Sequence, residues 1–187
     1  MSKVAVGPDK FLYPMPMALV GANVGGKPNF LAVAFYSAIQ MKPPVLAVCL
    51  NKIRYTNDGI KENKTFSVNI PSVELMEATD YCGIKSGKNV DKSVVFDTFY
   101  GKLETAPMIK NCPVCMECRL MEVVDVVTDN IVFVGEVVET YTDDQYLTGG
   151  VPDLIKTNPF LFSVRDKKYV SIGTIIGSAW EAGKNYK

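Results

Sequence analysis

Residues 26–37 read GKPNFLAVAFYS, residues 43–72 read PPVLAVCLNKIRYTNDGIKENKTFSVNIPS, and residues 82–93 read CGIKSGKNVDKS. Two apolar runs flank Pro43-Pro44. A polar loop, a short helix and a further strand follow, and then a loop carrying Ser86 and Lys92. Strand ends that alternate with polar loops suit a pocket for a planar ligand with a phosphate. Val45 to Leu50 is short, continuous and rich in β-branched residues, which favours a strand buried on both faces over a helix. Gly25-Gly26 predicts a tight hairpin turn between strands at 17–23 and 30–39, because glycine accepts positive φ at little steric cost. Pro43-Pro44 blocks helix and punctuates the fold.

Working outward, Thr56 is the expected N-cap of a helix to about Asn63, with Gly59 as a weak point. Thr65 to Ile70 is the next strand. Ser72, Leu75, Met76 and Thr79 stand at helical spacing and predict a second helix ending near Gly83. The segment 84–110 is loop-rich. Cys115 to Val127 reads as a long strand, turned at Asp129-Asn130 into a strand from Ile131 to Tyr141. Phe160 to Val164 and Tyr169 to Ile176 read as late strands. Strands dominate and are mostly short, so closure into a barrel is the natural solution to exposed edges.

Composition narrows the chemistry. A chain of 187 residues suits a single domain spanning 1–187 and buries roughly two-thirds of its unfolded surface. Twenty basic residues cancel twenty acidic ones, with no basic run to attract nucleic acid. There is no histidine. That excludes Ser-His-Asp and Cys-His catalysis and His-ligated zinc. Any proton comes from another side chain, from water or from a cofactor. The first dozen residues lack the basic end and apolar stretch of a signal peptide, and no window has the roughly 18 apolar residues of a membrane span. With five cysteines, an odd number, the expectation is a cytoplasmic protein with reduced thiols.

Three of those cysteines form NCPVCMEC, with Cys112, Cys115 and Cys118 at i, i+3 and i+6. One reading is an iron–sulfur ligand run. The other is the start of a strand using cysteine as a small hydrophobe. Strand alternation would put Cys112 and Cys118 on one face and Cys115 on the other.

Asn29, Thr56, Ser86 and Lys92 are polar positions on loops or strand ends. A phosphate dianion needs a cation, hydroxyl donors and free backbone N–H groups. Lys92 offers the charge, and Thr56 offers a hydroxyl and a helix start. The alternative is that Thr56 only caps and Lys92 is a solvated surface charge. For Phe35-Tyr36, adjacent strand positions point to opposite faces, so one fills the core while the other borders a ring, or both simply pack.

GKPN, PPVLAVCL, the IKEN helix with TFSVNIPS, and CG-x2-SG-x3-DKS occur in an order that resembles the flavin reductase-like family of FMN-binding split barrels, with flavoredoxins similar in pattern. The match covers about residues 10–175, and ECRL (117–120) and IVFVGEVV (131–138) resemble later family strands. The resemblance implies an all-β fold: a Greek-key, six-stranded split β-barrel with short covering helices. It implies a homodimer with FMN near the subunit interface, and electron or hydride transfer with NAD(P)H or a protein electron partner. Position by position it implies that Asn29 follows the hairpin, that Phe35, Tyr36 and Ser37 lie where a strand contacts the flavin, and that Leu50 and Asn51 approach the ring and ribityl chain. Thr56 and Lys92 then match positions associated with the phosphate, and Phe162 lies near the ring. This chain has Phe35 where related flavoredoxins carry Trp. It has Asp129-Asn130 where they carry His, so Asn130 donates a hydrogen bond there but does not switch charge.

Overall fold

The computed structural model describes residues 2–9, 14–125, 127–184 and 186. Its strands are β1 Met15–Pro16, β2 Ala18–Val24, β3 Lys27–Val33, β4 Tyr36–Gln40, β5 Val45–Asn51, β6 Thr65–Ile70, β7 Thr98–Phe99, β8 Met108–Ile109, β9 Val114–Val124, β10 Asn130–Tyr141, β11 Leu147–Thr148, β12 Val151–Pro152, β13 Phe160–Ser163 and β14 Lys168–Ser171. The helices are α1 Thr56–Asn63, α2 Met76–Ile84 and α3 Leu154–Thr157. Seven strands form one antiparallel sheet in the order β3-β2-β6-β9-β10-β5-β4. β1, β13 and β14 make a second, three-stranded sheet. No described helix is long and apolar enough to cross a membrane.

The large sheet curls until its two ends share one core. Leu31 and Val33 of β3 pack in the same buried cluster as Leu46, Val48 and Leu50 of β5, with Val20, Phe66, Val68, Cys118 and Phe133 between them. Ile60 of α1 belongs to this cluster and stops one end of the barrel. Side chains alternate across a strand, so Leu19, Phe30 and Cys115 face outward. They are covered by the turn at 73–75, α2 and the 95–112 segment through Leu75, Cys82, Phe96, Met108 and Ile109. This is the split-barrel class anticipated from the sequence.

Several expectations change in detail. The strand anticipated over 30–39 is two strands, β3 and β4, broken at Ala34-Phe35, which adds one strand to the six expected. The β2–β3 hairpin turns at Gly25 (φ +57°) and Gly26 (φ +78°), the two positive values a type I′ turn requires. Thr56 does not cap α1. Tyr55 occupies the cap position and no side chain caps the end, because the Thr56 hydroxyl is engaged by Asn29 Nδ2 at 2.8 Å. Gly59 is a packing requirement: a Cβ there would collide with the Asn23 carbonyl of β2. The strand anticipated over 115–127 runs from Val114 to Val124, and Val126 lies outside the described residues, as do residues 10–13 at the start of the stretch covered by the resemblance. The last strand ends at Ser171 rather than Ile176, since beyond it no partner strand pairs with the chain among the described residues.

Candidate functional site

At the open side of the barrel the end of β3, the ends of β5 and β10, and β13 leave a slot of about 360 Å³. Phe35, Leu50, Asn51, Asn130 and Phe162 line it, with Arg54 at one end. Pairing across the sheet explains the convergence. Asn130 is the register partner of Asn51, and Ile131 of Leu50. The Asn51 side chain accepts the Ile53 N–H at 3.1 Å while its carbonyl accepts from Asn57 Nδ2 at 2.9 Å, so the loop into α1 is held against the slot. Phe162 reaches the slot from the second sheet, where it pairs with Met15 and rests on Tyr169 at 5.5 Å between ring centroids.

Next to the slot is a small polar hollow of about 10 Å³, lined by Asn29, Arg54, Thr56, Ser86, Gly87 and Lys92 among others. Arg54 and Leu31 line both spaces. The hollow shares Asn29, Tyr55, Gly87 and Lys92 with a polar vestibule of about 290 Å³ beyond it. Gly87 is needed for this closeness, since a Cβ would run into Asn29 Oδ1 and the Tyr55 ring. Lys92 is 3% exposed. Its ammonium donates to the Phe30 carbonyl at 2.9 Å and the Cys82 carbonyl at 2.7 Å. An ammonium has three donors, so these bonds leave one for the hollow. Burial pushes the Lys92 pKa down; Cys82 opposes this and Arg54 adds to it. Lys92 is therefore no solvated surface charge but a buried cation beside the site.

These observations place the expected residues in two groups. Phe35, Leu50, Asn51, Asn130 and Phe162 meet in the slot; Asn29, Thr56, Ser86 and Lys92 meet in the hollow. Of the Phe35-Tyr36 pair, Phe35 borders the slot at 39% exposure, while Tyr36 packs on the inner core. Tyr36 and Ser37 line a separate apolar cleft of about 460 Å³ on the other side of Phe35 and Cys49, and so lie beside the slot rather than in it.

Residues 11–167 match the model of the flavin reductase like domain. The chain belongs to the flavin reductase-like family. Flavoredoxin from Methanosarcina acetivorans is 44% identical, with a TM-score of 0.96 and 98% of each chain covered. Flavoredoxin of Desulfovibrio vulgaris (Miyazaki F) is 32% identical with a TM-score of 0.91, covering 98% of this chain and 100% of that one. A ferric-chelate reductase (NAD(P)H) of Archaeoglobus fulgidus is 30% identical over 110 residues, 57% of this chain and 64% of that protein.

In this flavin reductase-like chain, sequence reasoning missed Arg54, Lys85, Gly87 and Cys49. The signal for Arg54 was a basic residue two positions before Thr56 at a helix start, where an anion is favoured. Cys49 had no signal, since its apolar run reads as core; the structure leaves it half-buried in the wall between slot and cleft. Burial raises its thiol pKa.

The cysteine triplet is arranged differently from strand alternation over all three positions. Cys112 precedes β9 in a turn, its N–H bonded to the Ile109 carbonyl at 3.1 Å. It shares the outer cluster with Cys115, whose thiol donates to the Ile109 carbonyl at 3.3 Å. Cys118 faces the inner core. The three sulfurs are split between two cores and do not converge on one centre.

Proposed function

We propose that the chain is an FMN-binding oxidoreductase of flavoredoxin type, moving electrons or hydride between NAD(P)H or a redox protein and an acceptor. The observation that carries this reading is the adjacency of two unlike spaces that share Leu31 and Arg54 in their walls. A slot walled by Phe35, Leu50 and Phe162 meets a cationic, hydroxyl-rich hollow at Arg54. A ring at one end and a phosphate at the other match those two environments. The named relatives, two flavoredoxins and an NAD(P)H reductase, support the same assignment.

The residues fit FMN on chemical grounds. Lys92 and Arg54 supply positive charge, Thr56 and Ser86 hydroxyls, and Gly87 a backbone free of Cβ, and all border the hollow. Because Lys92 lines the vestibule of about 290 Å³ as well, an anion held by it has room there. Bound flavin supplies two-electron and one-electron chemistry that side chains lack. The chain's own groups bind and orient. Phe35 and Phe162 cover apolar ring surface, Asn51 and Asn130 offer amide hydrogen bonds at the slot's edge, and Leu50 excludes water. Cys49 keeps its proton because burial disfavours the thiolate, so it adds no charge to the wall. No carboxylate lines the slot among the described residues, so the protein supplies no strong general base there. A homodimer is part of the reading: among the described residues β4 pairs only with β5, leaves Ser37 to Gln40 exposed, and is followed by Met41 at 81% exposure.

The visible spectrum of freshly purified protein, followed by FMN titration, tests the cofactor. Flavin bands that saturate at one equivalent support it, and a chain that stays colourless in excess FMN defeats it. Anaerobic mixing with NADH or NADPH then separates the activities. Rapid bleaching shows a reductase; reduction only through a protein donor shows a pure electron carrier.

A further inference from the structure

Beyond β14 the chain runs through IGTIIGSAW (172–180), in no described strand and exposed from Gly173 onward. Ile175 is 75% exposed, Ile176 98% and Trp180 92%. Soluble chains scatter single apolar residues on their surface, but three large ones within six positions form a patch that calls for a partner. Trp180 also has φ +63°. That is an outlier for a bulky residue, and its own chain supplies only a local turn around it: Ala182 N–H to the Ser178 carbonyl at 3.1 Å and Lys184 N–H to the Glu181 carbonyl at 3.1 Å.

The molecule also offers a seat of matching character. The apolar cleft of about 460 Å³ is lined by Pro14, Met15, Pro16, Phe35, Ala47 and Val132 among others, none of them charged. The arm from 172 to 180 is likewise uncharged, and the first charges after it, Glu181 and Lys184, pair with each other at 2.6 Å. The arm does not reach its own cleft in this fold. The small sheet has the order β1-β13-β14. Met15 and Pro16 border the cleft from one edge, and the arm leaves from the opposite edge, where Tyr169 OH ties β14 to Asp80 of α2 at 2.7 Å.

We propose that residues 172–184 form an exchange arm that docks Ile175, Ile176 and Trp180 into the apolar cleft of a second copy of this chain, beside that copy's ring slot. Size favours this occupant. A Trp buries on the order of 150–250 Å²; with two isoleucines an arm offers roughly 400–500 Å². Two reciprocal arm–cleft contacts then remove roughly 1,600–2,000 Å² in total, the range of a stable dimer. The contact is isologous, so a two-fold axis closes it. Phe35 lines both cleft and slot, so the arm of one subunit walls the site of the other.

The inference rests on the homodimer reading above, and the chain's single tryptophan tests the two separately. Sedimentation and Trp180 fluorescence are followed across a dilution series of the full chain. The expected result is a dimer with blue-shifted emission that moves to the red as monomer forms. A double Ile175→Asp, Ile176→Asp variant, whose changes fall outside the fold's core, dimerises at least tenfold more weakly with red emission throughout. Pro16→Glu, which charges the cleft, does the same with unchanged far-UV circular dichroism. A stable dimer with red, solvent-like emission overturns the arm and keeps the dimer. Blue emission in a monomer, independent of concentration, shows the arm folded on its own barrel and overturns it too. Wild-type dimerisation and emission in Pro16→Glu overturn the proposed seat. A full-length monomer with exposed Trp180 defeats arm and dimer together.

Discussion

Lys92 and Gly87 carry the phosphate assignment at the scale of single residues. Lys92 sits inside the protein with two carbonyl partners, a costly position for a cation unless an anion shares the site. Lys92→Ala is expected to weaken FMN binding by about 1.5–3 kcal/mol, tenfold to roughly 150-fold, the worth of a charge-assisted hydrogen bond. Fluorescence titration at moderate salt measures it, and wild-type affinity in the variant would sink the phosphate assignment. Gly87→Ala adds a methyl where Asn29 and Tyr55 already stand. It should lower FMN affinity at least tenfold while leaving the ring slot's residues untouched, and the same titration reads this. If Gly87→Ala bound FMN as well as wild type, the hollow would not be where the phosphate lies.

At the scale of elements, two junctions hold the site's supports in place. Helix α1 meets β2 at Gly59, so close that a side chain does not fit. Helix propensity alone favours Gly59→Ala by about 1 kcal/mol. Collision with the Asn23 carbonyl outweighs that gain, and the variant should unfold at lower denaturant concentration than wild type. Greater stability in Gly59→Ala would show that α1 shifts freely. The second junction is Glu117 of β9, fully buried on the outer face. Its carboxylate accepts the Lys102 N–H at 2.9 Å, the Leu103 N–H at 2.8 Å and the Tyr141 hydroxyl at 2.8 Å. It thereby ties the 101–105 loop to β9 and β10. Glu117→Gln replaces an acceptor with a donor facing donors, and should cost about 2–3 kcal/mol. Tyr141→Phe, which removes only one of the bonds, should cost about 1 kcal/mol in the same urea titration. Equal, negligible effects would mean the loop is held by its apolar contacts instead.

For the molecule as a whole, the two sheets and the slot between them predict coupling between flavin and stability. The ring slot is bounded by β3, β5, β10 and β13, which belong to different sheets. A ligand there binds the native state and not the unfolded chain. At FMN a hundredfold above Kd the gain is about 2.7 kcal/mol. For a chain of 187 residues that is a rise in Tm of roughly 5–10 °C. Calorimetry with and without FMN checks it, and an unchanged Tm under saturating flavin would place the ligand outside the junction of the sheets.

Local chemistry alone determined a good deal of this protein. Glycine pairs and prolines located the turns, β-branched runs located β5 and β6, and the absence of histidine pointed from side-chain catalysis to a cofactor. Those are properties of a residue and its immediate neighbours, so they are legible without a fold. The order of motifs then carried the family and the grouping of Asn29, Thr56, Ser86 and Lys92. The tertiary structure decided where each side chain points. It turned Thr56 from a cap into a partner of Asn29, drew Lys92 inside, separated Tyr36 and Ser37 from the ring slot, and brought Arg54 between slot and hollow. It also placed Cys112 beside Cys115 rather than Cys118, because Cys112 lies in a turn before β9 and strand alternation does not reach it. The reason is common to all: orientation depends on which distant strand a residue is paired with and what packs against it, and that information is spread over contacts between residues far apart in the chain.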